Sequence, residues 1–329
     1  MEANNGGLQV IASDGISLIK ASIVSIKCEG DISLCLPSKT LISAIKEIPD
    51  QPIEIFIDDD YNITVKYATG HFELKGLSSE EYPIKSIEKG QELNLKCEEF
   101  IYNIRKARNF CSSDELRPVL TGILFKADKT GLMFSASDST KLCLLELSIS
   151  NLPEVSTIIS ANDAKLISDI FDSKLDISIN ISNRCSCYKC GDYEIISTNL
   201  EGRFPDVRKV IPQHTINTIQ LNKNEIISAI KRVSLFASIN KLIVCDFGCN
   251  LRIESKDIDY STGAEEVVNI EMPGINLKIG FNANMLIDVL SAIKTDTVAI
   301  CLETESKPGL FTGLNSENER YVLMPIMIK

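Results

Sequence analysis

The sequence predicts an α+β protein in which helices pack on antiparallel sheets and are grouped into three similar domains. The first observation is an internal repeat. A short amphipathic helix occurs five times, and the central isoleucines Ile42, Ile101, Ile167, Ile227 and Ile287 lie 59, 66, 60 and 60 residues apart. The second observation is that roughly three or four strand-like segments follow each helix. The length of 329 residues suits two or three domains of about 100–150 residues each.

The five predicted helices share apolar residues at positions i, i+3 and i+4, the stripe of a helix that lies on a sheet. They cover residues 39–45, 99–104, 164–170, 225–230 and 284–290. We expect them to begin near Ser38, Cys97, Asn162, Asn222 and Asn282. Four of these five residues are favourable N-caps.

The segments between the helices alternate apolar and polar residues, which predicts β-strands. The predicted strands are 53–57, 63–67, 72–75, 122–126, 132–136, 142–147, 176–181, 194–198, 242–245, 250–255, 298–303, 309–313 and 320–327. The repeating unit is therefore one helix with one small antiparallel sheet.

Two repeating units per domain give domains at residues 1–92, 93–212 and 213–329. The second and third domains hold two units each, whereas the first holds only the unit around Ile42. We therefore predict that the first domain is incomplete and lacks its first strand–helix unit. Residues 1–7 are predicted to be a disordered lead.

Residues 200–212 are predicted to form an ordered joint between the second and third domains. Two prolines and a glycine prevent this segment from continuing a helix or lying inside a central strand. Phe204, Val207, Val210 and Ile211 are too apolar for a free tether. Clefts between domains are common binding sites, so we expect a binding surface beside the joint.

The distribution of charge bears on the class of partner. The net charge of −11 argues against nucleic acid unless positive charge is concentrated on one surface. Five longer segments that contain these helices carry +4 in total, which leaves −15 on the rest of the chain; they are residues 38–48, 98–111, 162–174, 222–241 and 282–294. Helices that all face one side would give a mildly positive face on an acidic body. The alternative is that these are ordinary solvated helix faces.

The cysteines bear on the cellular compartment. Eleven cysteines without paired spacing, and no signal peptide, indicate reduced thiols in the cytoplasm. No apolar run approaches the ~20 residues of a membrane span, so no membrane association is expected.

Two clusters could carry chemistry, and each has a simpler interpretation. Cys185, Cys187 and Cys190 suggest a metal site, but a fourth ligand at a familiar spacing is lacking. The acidic run at residues 58–60 resembles a phosphoryl-transfer cluster, yet between two strands it is more typical of a solvated turn. Gly-rich phosphate loops and Ser/His/Asp arrangements do not occur, so neither a catalytic centre nor a cofactor is predicted.

Four motifs follow one another along the chain: RPVLTGILF at residues 117–125, SASDSTKL at 135–142, EGRFPD at 201–206 and YVLMPI at 321–326. Together they resemble the bacterial sliding clamps, the beta subunits of DNA polymerase III, from about residue 7 to the end. The resemblance implies a DNA-clamp fold and a head-to-tail dimer that forms a ring lined by twelve helices. It also implies a non-catalytic processivity factor that encircles duplex DNA and tethers other proteins.

The resemblance further implies a groove for short partner peptides between the second and third domains. Its residues would be Leu120, Ser137, Asp138, Ser139, Thr140, Lys141, Leu142, Pro205, Lys209, Val210, Val322, Met324, Pro325 and Ile326. Such a cleft would have apolar walls and a rim of basic and hydroxyl residues, which suits the apolar anchors of an extended peptide. The alternative is that its apolar members are ordinary core. The family usually has Gly-His-Arg at residues 139–141 and commonly an arginine near Met327, so the preferred peptide is open.

Two more surfaces are implied. Weak phosphate contacts, which carry no base information, would come from Arg105, Lys106, Arg108, Lys231 and Arg232. The ring would close between Leu235 and Phe236 at a third-domain helix end and Phe72 and Leu74 on a first-domain edge strand. The alternative for Phe72 and Leu74 is that they face their own core.

The implied partners are double-stranded DNA bound without sequence preference, the catalytic subunit of DNA polymerase III, the clamp loader, mismatch-repair proteins, ligase and a second copy of the chain. Two alternative functions remain open at this stage. One is a clamp-like protein that cannot close a ring and only binds partner peptides. The other is an intracellular metal-binding protein or enzyme that uses the cysteine cluster.

Overall fold

The computed structural model describes residues 1–4, 7–24, 27–80, 82–83, 88–212, 218–257, 259–270 and 275–328. Five α-helices occur in these ranges, and each contains one predicted helix. They are α1 (Ser38–Lys46), α2 (Cys97–Arg108), α3 (Ala161–Ile170), α4 (Lys223–Ser234) and α5 (Ala283–Ala292). None of the described helices is both long and apolar enough to cross a membrane.

The helix starts were predicted within two residues. Asn222 and Asn282 are the N-caps of α4 and α5, and the Asn222 side chain accepts hydrogen bonds from the N–H groups of Asn224 and Glu225. Ser38 and Cys97 are instead the first residues of their helices. The N-cap of α3 is Ser160 rather than Asn162, because the Ser160 hydroxyl accepts a hydrogen bond from the Asp163 N–H.

The strands in the first half of the chain are β1 (Glu2–Asn4), β2 (Gly7–Ser13), β3 (Ser17–Val24), β4 (Ile32–Cys35), β5 (Glu54–Ile57), β6 (Asn62–Tyr67), β7 (Gly70–Lys75), β8 (Leu77–Ser78), β9 (Gln91–Lys96), β10 (Gly122–Asp128), β11 (Gly131–Ser137), β12 (Lys141–Leu147) and β13 (Val155–Ser160). Those in the second half are β14 (Asp176–Ile181), β15 (Cys185–Cys190), β16 (Tyr193–Thr198), β17 (Thr218–Asn222), β18 (Leu242–Phe247), β19 (Leu251–Asp257), β20 (Thr262–Val268), β21 (Leu277–Asn282), β22 (Thr297–Cys301), β23 (Gly309–Gly313) and β24 (Glu319–Leu323).

Every predicted strand is present, and the predictions missed others. The prediction of a disordered lead is wrong for residues 1–4 and 7, because β1 pairs with both β2 and β4. Residues 5 and 6 lie outside the described ranges. The sequence CSCYKC of β15 and TGAEEVV of β20 contain few large apolar residues, which is why alternation did not reveal these strands.

The chain forms two compact units. The first contains Met1–Gly90 and Leu175–Thr198. One of its sheets has the strand order β8-β4-β1-β2-β3-β16-β15-β14, and another has the order β5-β6-β7. Leu34, Ile63 and Val65 form a small buried cluster in this unit. Helix α1 buries none of its residues.

The second unit contains Gln91–Lys174 and Asn199–Lys329. Its larger sheet has the order β13-β10-β11-β12-β24-β23-β22-β17, and its smaller sheet has the order β20-β19-β18-β21. Helix α2 packs on α3, and α4 packs on α5. The rings of Phe100, Phe125 and Phe134 lie 5.0–5.8 Å apart in the core beneath α2. The adjacent strands β12 and β24 join the middle and the end of the sequence in one sheet, which positions the candidate site.

Candidate functional site

Residues 200–212 pack on the eight-stranded sheet of the second unit. Phe204, Val207 and Ile211 are buried, and they share one apolar cluster with Leu142 of β12 and Val322 of β24. The last two residues are direct cross-strand partners, so they lie side by side on one face of the sheet. The segment is thus built into the core, as expected of an ordered joint.

A cavity of about 170 Å³ lies between this segment and the sheet. We call it the groove; it is lined by Leu120, Ser137, Ser139, Thr140, Lys141, Leu142, Phe204, Pro205, Val207, Val210, Val322 and Met324. It is smaller than the roughly 300–1,000 Å³ of typical small-molecule sites. Its size and apolar floor suit an anchor side chain of a peptide.

Ten of the fourteen residues predicted for the groove border this cavity. Of the other four, Asp138 accepts a hydrogen bond from the N–H group of Thr140, a lining residue. The N–H group of Ile326 donates a main-chain hydrogen bond to the Gly280 carbonyl at 2.8 Å. Lys209 and Pro325 are not among the residues that line the cavity. Sequence reasoning missed Phe204 and Val207 as lining residues, although their apolar character had already indicated that the segment was not a tether.

The tight turn between β11 and β12 forms one rim of the groove. Ser139 has a φ of 80°, in the left-handed region. The Asp138 carboxylate accepts hydrogen bonds from the N–H groups of Thr140 at 2.8 Å and Lys141 at 2.7 Å. The Arg117 guanidinium donates to the Ser139 hydroxyl at 2.6 Å and to Asp114 at 2.9 Å. The hydrogen bond from Arg117 lowers the pKa of the Asp114 carboxyl.

Lys141 borders the groove, but its ammonium lies elsewhere. Successive side chains of a strand point to opposite faces, and Leu142 belongs to the groove floor. Nζ of Lys141 lies 2.5 Å from Oδ2 of Asp288 on α5 and 5.5 Å from the centroid of the Phe110 ring. Because Lys141 is only 8% exposed, it contributes no accessible positive charge to the rim.

The five cations predicted to face DNA have different surroundings. Arg108 and Lys231 are exposed, and neither forms an ion pair with another described residue. Arg105 donates a hydrogen bond to the Ser168 carbonyl. Arg232 pairs with Glu266, and their hydrogen bonds raise the pKa of Arg232 and lower that of Glu266.

The fifth cation, Lys106, belongs to a network beside a larger cavity. This cavity, of about 490 Å³, is lined by residues of α2 and α5 and by Asn109 and Ser173. Nζ of Lys106 lies 2.8 Å from both carboxylate oxygens of Glu319, and 4.4 Å from the centroid of the Tyr102 ring. The hydroxyls of Tyr102 and Tyr321 also donate hydrogen bonds to Glu319, at 3.3 and 3.1 Å. The network attaches α2 to the start of β24, the strand that contributes Val322 to the groove.

The residues predicted for ring closure in the first unit are partly covered. Phe72 and Leu74 lie on β7, an edge strand of its sheet. Both are half-buried and pack against the cluster of Leu34, Ile63 and Val65. These two side chains therefore contribute in part to the core of their own unit. The outer edge of β7 pairs with no other described strand.

The corresponding residues in the second unit are much more accessible. Leu235 is 76% exposed and Phe236 is 46% exposed, directly after the end of α4. Ile239 nearby is 99% exposed. Strand β20, which contacts α4, is an edge strand of the four-stranded sheet. Exposed apolar residues at the end of a helix that contacts an open strand edge are typical of an interaction site.

The cysteine and aspartate clusters take up structural positions. In the described residues, no group of three or more His, Cys, Asp or Glu side chains is placed to hold a metal ion. Cys185, Cys187 and Cys190 lie along β15. Asp58 accepts hydrogen bonds from the N–H groups of Asp60 and Asn62 in a turn, and the bonds to Asn62 lower its pKa.

Comparison with solved structures shows what the fold is. A DNA polymerase sliding clamp from Pseudomonas aeruginosa matches with a TM-score of 0.94 at 20% identity, covering 99% of this chain and 91% of that chain. A sliding clamp from Bacillus subtilis matches with a TM-score of 0.93 at 22% identity, covering 100% of this chain and 90% of that chain. The protein has the fold of a DNA clamp, with helices on antiparallel sheets.

Sequence comparison narrows this class to one family. Models of the DNA polymerase III beta subunit match at residues 1–86 for the N-terminal domain, 94–206 for the central domain and 208–327 for the C-terminal domain. Beta sliding clamps of Staphylococcus epidermidis and Staphylococcus aureus are 27% identical over 301 residues, covering 89% of this chain and 80% of theirs. The chain belongs to the family of DNA polymerase III beta subunits, the sliding clamps that serve as non-catalytic processivity factors of that polymerase.

One prediction needs correction. We expected the first domain to lack its first strand–helix unit, but the model of the N-terminal domain matches residues 1–86 and all three domain models are present. The match does not support a shortened first domain. The prediction rested on the spacing of helices alone and did not recognise the four strands β1–β4 that precede α1.

Proposed function

We propose that two copies of this chain associate head to tail into a closed ring around double-stranded DNA. The observation that carries this proposal is the apolar patch of Leu235, Phe236 and Ile239 beside the open edge of β20. The other half of each contact would be β7, whose edge is also open and whose Phe72 and Leu74 keep part of their surface accessible. Two different edges that complement each other produce a closed dimer when the contact occurs twice.

The ring would hold DNA by topology and by weak contacts to phosphates. Arg108 and Lys231 are the best candidates because they are exposed and have no ion-pair partner among the described residues. Arg105, Lys106 and Arg232 are candidates whose cationic groups already bond to protein. Phosphate contacts of this kind carry no sequence information, so the ring would move along any duplex.

We infer that the groove binds extended segments of the catalytic subunit of DNA polymerase III and of the clamp loader. Mismatch-repair proteins and ligase would use the same groove, with Asp138, Lys209, Pro325 and Ile326 flanking its lining residues. Support comes from the apolar floor of Leu120, Leu142 and Val322, with Met324 at its edge. The rim is held by its own hydrogen bonds, so it loses little freedom when a peptide binds.

We infer that the chain has three domains, at residues 1–92, 93–212 and 213–329. We also infer that the protein acts in the cytoplasm. The matched ranges of the three family models support these boundaries. The cytoplasmic assignment is supported by eleven cysteines that form no disulfide, all of them in described ranges.

Light scattering coupled to size exclusion at micromolar concentration tests the ring. A mass near twice 36.4 kDa is expected for the unchanged chain, together with retention on nicked circular DNA and loss after linearisation. Phe236→Asp should give a monomer, whereas the control Ile16→Asp, at a residue 62% exposed in the first unit, should remain a dimer. A monomeric unchanged chain would overturn the ring and favour the clamp-like protein that only binds peptides.

A further inference from the structure

We propose that Lys141 is a positioning residue of the groove: it ties the groove floor to α5 through Asp288, and its ammonium does not contact the partner peptide. This inference rests on the proposed peptide-binding function of the groove.

The direction follows from the pleat of β12. Leu142 pairs with Val322 of β24, and both belong to the apolar cluster that the joint covers. Lys141 pairs with Leu323, one position along, so its side chain leaves the opposite face of the sheet. The Lys141 side chain therefore starts on the face opposite to the one on which a peptide would contact Leu142.

The ammonium has a fixed position on that opposite face. It lies 2.5 Å from the Asp288 carboxylate and over the face of the Phe110 ring, whose side chain is fully buried. The Lys141 side chain is 9% exposed, whereas that of Asp288 is 50% exposed. Removing Asp288 would leave a nearly buried cation without its counter-ion, and the cation would have to move toward water. Such a movement would displace the backbone of β12 at the groove floor.

The chemical class of the bound side chain follows from this arrangement. Since Lys141 points away, the floor formed by Leu120, Leu142 and Val322 presents no positive charge to a ligand. The accessible cations Arg117 and Lys209 are 51% and 83% exposed at their side chains, outside the floor. The floor therefore accepts an uncharged apolar anchor, and an acidic residue at that position of the peptide is disfavoured.

Fluorescence anisotropy tests the proposal, with a fluorescein-labelled peptide that carries the clamp-binding segment of the same organism's polymerase catalytic subunit. Asp288→Asn, although remote from the groove, should weaken binding three- to ten-fold, and Lys141→Met should do the same. The double variant should bind no worse than the weaker single variant, because the two residues act as one unit. Lys141→Arg, which keeps the positive charge, should bind the peptide with most of the affinity of the unchanged chain. The control Asp169→Asn, at an exposed acid on α3, should not change binding.

Three results would overturn the proposal or its basis. Normal binding by Asp288→Asn with weak binding by Lys141→Met would mean that Lys141 contacts the peptide directly. Normal binding by both variants would mean that the ion pair positions nothing. Val210→Asp tests whether the peptide binds in the groove at all, because Val210 lines the groove and is 43% exposed. If that variant binds normally, the proposed peptide site is wrong, whatever the ion pair does. Thermal unfolding of each variant shows that it is folded.

Discussion

The ammonium of Lys106 lies 2.8 Å from both carboxylate oxygens of Glu319, a residue 213 positions away in the sequence. The Lys106 and Glu319 side chains are only 14% and 21% exposed, so water screens this pair poorly. Lys106, which the sequence predicted to face DNA, therefore forms an ion pair that links α2 to β24. Its contribution is first of all to the stability of the second unit.

Glu319→Gln should lower the free energy of unfolding by about 1–3 kcal/mol, because a nearly buried Lys106 would lose its counter-ion. Urea unfolding followed by circular dichroism measures the change. Glu317→Gln is the matched control, since Glu317 is exposed two residues earlier, and it should have little effect. Equal unfolding midpoints for the two variants would mean that the Lys106–Glu319 pair contributes nothing to stability.

Gly280→Ala should destabilise the C-terminal segment and weaken peptide binding. A Cβ at this position would lie 2.5 Å from the Ile326 carbonyl oxygen, so the segment that follows Met324 must shift. Overpacking of this kind costs about 1–3 kcal/mol. The control is Gly248→Ala, where the nearest heavy atom to the added Cβ would be 3.9 Å away. Denaturation and peptide affinity are measured together, and unchanged values for both at Gly280 would contradict the close approach.

Substitutions at Ser139 should separate backbone strain from side-chain contact. With a φ of 80°, Ser139 occupies a region that β-branched residues avoid, so Ser139→Val should cost about 1–2 kcal/mol. Ser139→Gly should change the free energy of unfolding by less than about 0.5 kcal/mol. The relief of strain offsets the larger freedom of glycine in the unfolded chain and the lost hydrogen bond from Arg117. Equal stability of the two variants would show that the turn is not strained.

Stability should fall above about pH 9 as thiols ionise in the unfolded chain. Burial raises the pKa of the Cys245 thiol from 9.0 to about 12. Burial likewise raises the pKa of the Cys111 thiol from 9.0 to about 12. Stability from these groups is fully present below pH 9, and it is lost as the pH rises toward 12 because the unfolded chain releases its protons first.

Guanidinium unfolding at about pH 8 and about pH 10.5 measures this loss. Cys245→Val should reduce the difference between the two conditions, because it removes one of the groups concerned. The exposed Cys249 provides the comparison, and Cys249→Ser should leave the pH dependence as it is. An equal free energy of unfolding at the two pH values would contradict the raised pKa values of Cys245 and Cys111.

Much of the fold could be predicted from local pattern. The helix stripes located all five described helices, and alternation located β10, β11, β12 and β19 of the second unit. Strands rich in small or charged residues, such as β15 and β20, escaped because their alternation is weak. The prediction of a shortened first domain failed for another reason: it rested on helix spacing alone, and β1–β4 were not recognised.

The sequence by itself determined most of the segments that form the groove, because the motifs at residues 117–125, 135–142, 201–206 and 321–326 contain ten of its twelve lining residues. Tertiary structure alone decided what individual side chains do there. Period-two alternation separates Lys141 from Leu142, but only the packing of residues 200–212 shows which face is the groove. The partners Asp288 and Glu319 lie 147 and 213 residues from Lys141 and Lys106. Such pairs depend on sheet register and helix placement, and no local periodicity encodes either of them.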